Sequence, residues 1–305
     1  MRFTMDTPQA TLSALWKNAV CLVLTLRKLG IKRTVHQDVL AVETDRAMVK
    51  VTKALLACPE YEAITKLDAQ IRKKLSSYTL PSSLRPGIYL VPNALLEEVD
   101  ELILNFKEKR ESLIDYFVQV YPQRREEAQL KLADLYNPAD YPDVDTVKAG
   151  FLFECQYLTF DIPGTLSALS ERLLMRETEN VSKKVRQMLE EAKTTLREAM
   201  AELVDHLMER LTPNANGKAK TFRASTVTNL MDFLNRFDAR NLSRDLDLQK
   251  LVDQAKGLLS GMEPARIRTD ESVATVVRGG MRAIKSQLDA LLVEKPSRVY
   301  ALEDE

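Results

Sequence analysis

Between Thr165 and Leu211 the chain runs without a proline or a glycine, while Val181, Val185, Leu189, Ala192, Leu196, Ala199, Leu203 and Leu207 step by three or four residues. That spacing gathers apolar side chains on one face of a 3.6-residue helix, and it predicts one very long helix. At 1.5 Å per residue its roughly 47 residues would extend about 70 Å, longer than a compact domain of this size is wide. Such a rod must pack in a coiled-coil-like hairpin or against a partner.

The rest of the composition agrees with helices. Hydrophobic residues make up 45% of the 305 residues and charged residues 29%, with only 9 glycines; this is rich in helix formers and poor in the glycines of cofactor loops. Lysine plus arginine equals aspartate plus glutamate at 44 each, so no net field draws the chain toward polyanions or acidic surfaces. The start Met1-Arg2-Phe3-Thr4-Met5-Asp6 lacks a charged lead followed by an apolar stretch, and no run reaches the roughly 18 apolar residues of a membrane span. A cytosolic protein without a membrane segment is expected. Cys21, Cys58 and Cys155 lie far apart with no CxxC, and read as reduced core thiols.

Along the chain, Thr7-Pro8 reads as a helix start running toward Trp16. The stretch from Ala19 to Leu26 suits either a buried strand or the buried end of that helix, the strand being favoured. Glu43 to Ala57 and Glu60 to Leu75 read as two helices broken at Cys58-Pro59. Gly87 to Pro92 is a short strand candidate, followed by a helix from near Asn93 that ends before Pro122 and a further helix from Arg124 to Leu135. Phe151 to Ile162, dense in aromatic and branched residues, is the strongest strand signal. After the linker Thr212 to Lys218, helices are expected over Ser225 to Phe237, Asp245 to Leu259 and Asp270 to Leu292. The expected fold is mainly α with a small antiparallel β-sheet, divided as an N-terminal α+β domain (1–163), the long coiled-coil-like helix (164–212) and a C-terminal helical region (213–305).

Signals for catalysis are weak. Gly217-Lys218 lacks the other residues of a phosphate loop, no GxSxG elbow is present, and His36 and His206 stand apart from any Cys at ligand spacing. Glu97 and Glu101 share a helical face, the least that paired carboxylates need, but an acidic first turn complementing the helix dipole explains them more simply. Asn137, Asp140, Asp143 and Asp145 offer oxygen ligands to a hard cation, although turns and a helix cap account for them better. No enzyme activity, metal or cofactor is therefore expected. One segment has the make-up of a nucleic-acid surface: Lys218, Lys220, Arg223, Arg236, Arg240 and Arg244 outnumber Asp232 and Asp238, with Phe222, Phe233 and Phe237 interleaved. The same residues also fit a linker leading into an amphipathic helix with core phenylalanines. Gly279 and Gly280, inside an apparent helix, point to close packing or a kink.

Gly87-Ile88-Tyr89-Leu90-Val91-Pro92, then Phe117, Tyr121, Tyr141-Pro142-Asp143, Val147 and the strand from Phe151 to Phe160 resemble an uncharacterised bacterial and bacteriophage family known as a domain of unknown function. The resemblance covers the N-terminal half and consists of apolar strand-and-turn patterns. It implies an accessory role beside the MoxR-type AAA+ ATPases and von Willebrand A domain proteins that accompany such members on phages and mobile elements. The expectation is thus a non-enzymatic adaptor or assembly protein with a protein partner. The alternative is a DNA- or RNA-binding accessory protein using the basic segment, and a homo-oligomer stays open.

Overall fold

The computed structural model describes residues 15–35, 50–82, 85, 87–159, 170–212 and 224–293. In chain order the elements are strands β1 (Ala19–Arg27), β2 (Lys32–Thr34) and β3 (Thr52–Ala54), helix α1 (Pro59–Ser76), and strands β4 (Leu80–Pro81) and β5 (Ile88–Pro92). Helices α2 (Leu96–Leu132) and α3 (Val144–Ala149), strand β6 (Leu152–Leu158) and the long helix α4 (Glu171–Leu211) follow. The chain ends in helices α5 (Ala224–Arg240), α6 (Leu246–Leu259), α7 (Pro264–Thr269) and α8 (Glu271–Val293). The fold is mainly α with a small antiparallel β component, as composition and periodicity require.

Two compact units divide the chain, and both are discontinuous in sequence. One comprises Met1–Cys21, Ser77–Leu96 and Leu158–Glu305, the other Leu22–Ser76 and Glu97–Tyr157. The boundary falls inside β1, and the long helix shares a unit with the C-terminal helices instead of standing alone.

In the unit of α4 to α8, Ser170 caps the long helix by accepting from the Leu173 N–H at 3.3 Å. The helix holds 41 residues, so it extends about 62 Å. From Val185 to Leu211 its inward positions, among them Met188, Leu196, Met200, Val204 and Leu207, are buried. Each such side chain contributes on the order of 1.5–3 kcal/mol by leaving water. The cover comes from α5 and α8. Arg197 donates to the Leu291 carbonyl, Lys285 pairs with Asp205, and Arg278 donates to the Leu211 carbonyl. Numbers rise along α4 as they fall along α8, so the two helices are antiparallel. The rod therefore hides this part of its apolar stripe within its own unit, which removes the need for an outside partner along that length.

At Gly280 on α8 the α6 side chain Leu258 comes close: a Cβ there would meet Leu258 Cδ2 at 2.5 Å. Close packing, the role expected for the glycine pair, thus holds at Gly280, whereas Gly279 has open space around it. Asp245 caps α6, accepting from the Leu248 N–H at 3.2 Å, while its carboxylate takes two hydrogen bonds from Arg197 at 2.6 and 3.0 Å. β4 pairs antiparallel with β5 in the register Leu80 to Leu90 and Pro81 to Tyr89, and β5 lies beside the first residues of β1.

The second unit departs from expectation twice. Residues 50–57 were expected to end a helix, but Thr52–Ala54 is β3, paired antiparallel with β2 in the register Lys32 to Ala54 and Thr34 to Thr52. The β-branched Val51 and Thr52 suit a strand, and the Val35 N–H finds the Val51 carbonyl at 3.1 Å. The helix expected to stop before Pro122 continues through it as α2. The proline removes one backbone donor, a loss of about 3 kcal/mol in an ordinary helix. Packing on both sides offsets this: Phe117, Tyr121 and Ala128 are buried on one face. Arg124 adds hydrogen bonds to both carboxylate oxygens of Glu60 on α1, at 3.1 and 2.6 Å. The helices expected at Glu43 and at Thr7 lie outside the described residues over 43–49 and 7–14.

Arg110 of α2 ties this unit together. Only 1% exposed, it donates to Asp68 Oδ1 of α1 at 2.7 Å, to the Arg27 carbonyl at the end of β1 at 2.8 Å and to the Leu152 carbonyl of β6 at 3.2 Å. Replacing Arg110 by Met strands the buried Asp68 and should destabilise the protein by about 3–5 kcal/mol, whereas Arg110→Met with Asp68→Leu should recover most of that loss. Urea titrations followed by circular dichroism measure both; equal losses in the single and double variants would contradict the expectation.

The other unit carries a pH-sensitive carboxyl at Asp245. Burial pushes its carboxyl up, but the Arg197 and Leu248 hydrogen bonds and the Arg197 charge outweigh this and hold it below the usual carboxylate range. Its contribution is complete above the unfolded aspartate value of about 3.9 and is lost as pH falls through the lower folded value. Asp245→Asn should lower the urea midpoint at pH 7 and flatten its decline below pH of about 4. A variant as acid-sensitive as the parent would count against it.

Candidate functional site

Strand β6 and the flank of α2 form the most distinctive surface of the second unit. β6 lies beside β1 on one edge, and on its other edge no strand pairs with it among the described residues. Alternation sets Phe153, Cys155 and Tyr157 on one side of the strand and Leu152, Glu154 and Gln156 on the other. The first set faces α2. At one end Arg110 holds the Leu152 carbonyl; at the other, the Tyr157 hydroxyl donates to Asp100 Oδ1 at 3.1 Å. Asp100 to Arg110 extends about 15 Å of helix, and Leu152 to Tyr157 about 17 Å of strand, so the two anchors match in length. β6 is thereby clamped along α2 from beneath, with its outer backbone edge unpaired by any strand among the described residues.

A groove of about 300 Å³ runs along this edge, lined by Arg110, Glu111, Ile114, Asp115, Lys148, Phe151 and Phe153. Phe151 sits against Phe117 in an edge contact with centroids 5.8 Å apart, and the Arg110 guanidinium lies 5.9 Å from the Phe151 ring. The groove floor is therefore aromatic and fixed. Its rim is charged: Lys148 pairs with Asp115 at 2.8 Å, both well exposed. Along α2, Glu97, Glu101, Leu104, Glu108, Glu111 and Asp115 recur at alternating steps of four and three and are all exposed. This forms an acidic stripe on the solvent side of the helix.

Of the expected nucleic-acid residues, Arg236, Arg240 and Arg244 lie among the described residues. Arg240 is 4% exposed, donates to the Thr79 carbonyl at 3.0 Å, and is pulled down to about 10 by burial and then by the neighbouring Arg236 charge. Arg236 stacks 4.2 Å over the Tyr78 ring and donates to its hydroxyl. Arg244 is exposed, with a left-handed φ of 53°. Lys218, Lys220 and Arg223 lie outside the described residues. Phe233 and Phe237 are buried, which matches the amphipathic-helix reading of this segment.

The oxygen-rich loop is occupied by its own structure. Asn137 accepts from the Ala139 N–H, Asp143 caps α3 through the Thr146 N–H and hydroxyl, and Asp140 pairs with Lys53 at 2.8 Å. Among the described residues no three His, Cys, Asp or Glu side chains converge as metal ligands. His206 is exposed on α4, and His36 lies outside the described residues. Glu97 and Glu98 sit exposed in the first turn of α2, where they complement its dipole.

The β6 edge was not singled out in the sequence as a site, although two signals were there: the two-residue alternation Phe151, Phe153, Cys155, Tyr157 and the seven-residue acidic repeat. Burial, and after it the charge of Asp100, pushes the Cys155 thiol up to about 11. Although half-buried rather than sealed, Cys155 should hold about 100-fold less thiolate at pH 8 than an ordinary cysteine. Its iodoacetamide alkylation rate, followed by mass spectrometry, should be correspondingly low and should rise in Asp100→Asn. A rate equal to that of a free peptide thiol would contradict this.

No family model, curated protein or solved structure matches the chain in comparisons of sequence and structure.

Proposed function

We propose that this chain is a non-enzymatic assembly or adaptor protein of a phage or mobile element, accessory to a MoxR-type AAA+ ATPase machine. The observation that carries the adaptor reading is the outer edge of β6. Unpaired N–H and C=O groups along a sheet edge are a template for another strand, and edges meant to stay free are usually blunted by lysine, proline or a bulge. Leu152 to Tyr157 contains neither lysine nor proline. Leu104 and Tyr157 add apolar surface nearby, 54% and 38% exposed. The choice of an ATPase or a von Willebrand A protein as partner rests on the family resemblance of Gly87 to Pro92 and the segments after it.

The nucleic-acid reading is the weaker one, because Arg240 is buried and Arg236 is engaged with Tyr78. The adaptor reading is tested by placing a photo-crosslinking amino acid at Gln156, beside the edge, and at Lys250 on α6. Crosslinks in host cells to an ATPase or von Willebrand A protein from position 156 and not from 250 are expected. A monomer by light scattering that crosslinks to no protein from either position would overturn it.

A further inference from the structure

The chemistry around the open edge selects its occupant. Carboxylates Asp100, Glu111, Asp115 and Glu154 stand on β6 and the adjoining flank of α2, against Lys107 and Lys148, and Asp115 already binds Lys148. Arg110 adds no free positive charge, since Asp68 neutralises it in the interior. The edge is therefore acid-rimmed over an aromatic floor of Phe151 and Phe153. Two copies joined through their β6 edges would bring these like-charged rims together, which costs free energy in proportion to their proximity.

We propose that β6 takes a basic, extended segment of a partner protein as an added strand. Backbone groups of the segment pair with the outer edge of Leu152 to Tyr157. On its side facing α2, an apolar side chain enters the groove beside Ile114, Phe151 and Phe153, and basic side chains meet Glu111 and Asp115. Strand addition derives affinity from the main chain and selectivity from alternate side chains, and this edge supplies both. The inference rests on the adaptor reading and names the chemistry of the partner.

The probe is a fluorescein-labelled heptapeptide of sequence Thr-Lys-Thr-Phe-Thr-Lys-Thr, which sets the phenylalanine and both lysines on one face of a strand, titrated with the full chain and read by anisotropy. Binding should weaken as salt rises, and by about tenfold in the exposed double variant Glu111→Gln with Asp115→Asn. The same peptide N-methylated on the backbone amides of its pairing edge should lose binding, a control that leaves the protein unaltered. Failure of the basic peptide to bind, equal binding of a glutamate-for-lysine counterpart, or indifference to N-methylation would each overturn the proposal. If position 156 still crosslinks to a protein in any of those cases, the adaptor reading survives and only the basic strand is lost.

Discussion

The second unit depends on one side chain. A guanidinium sealed from water has five N–H donors to satisfy, and Arg110 distributes them to a carboxylate on α1 and to carbonyls at the end of β1 and the start of β6. Each partner lies on a different element, so the geometry of the fork fixes where the helices and strands meet. A buried ion pair of this kind adds little net stability compared with a well-packed apolar substitute, but breaking it is costly. Its consequence is positional: the first residue of β6 is pinned, and Tyr157 on Asp100 pins the far end. An edge strand held so firmly need not reorder itself to accept a neighbour, which lowers the entropic cost of docking.

Much of this architecture is legible in the sequence where local pattern and tertiary demand agree. The apolar steps of α4, the caps at Asp245 and Asp270, the start of α1 at Pro59 and the branched run of β1 all state their structure locally. Pro122 misleads because its penalty is local whereas part of the compensation comes from Glu60, far away in sequence. Thr52–Ala54 misleads because β2, its partner, is too short and too exposed to announce itself. The basic segment shows the limit of a charge pattern, which cannot reveal that Arg240 is buried and meets the Thr79 carbonyl.

The length of α4 constrains its packing without naming what covers it. A helix of 41 residues does outreach a compact core. The stripe from Val185 onward nonetheless found cover in α5 and α8, which follow it in the chain. Length alone therefore does not reveal whether an apolar face is covered by the same chain or by another. The β6 edge poses the same question for backbone hydrogen bonds, and there the described residues supply no strand to answer it.

The antiparallel pairing of α4 with α8 also has a bearing on synthesis. Leu211 ends α4, but the last turn of α8 is reached only at Val293, 82 residues later. At about 5–20 residues per second a ribosome needs roughly 4–16 s to make that stretch. Throughout that interval Met200, Val204 and Leu207 lack the part of their cover that α8 supplies, in a nascent chain surrounded by other proteins. The native protein conceals this surface completely, yet every newly made copy must pass through a period of stickiness that chaperones are there to shield.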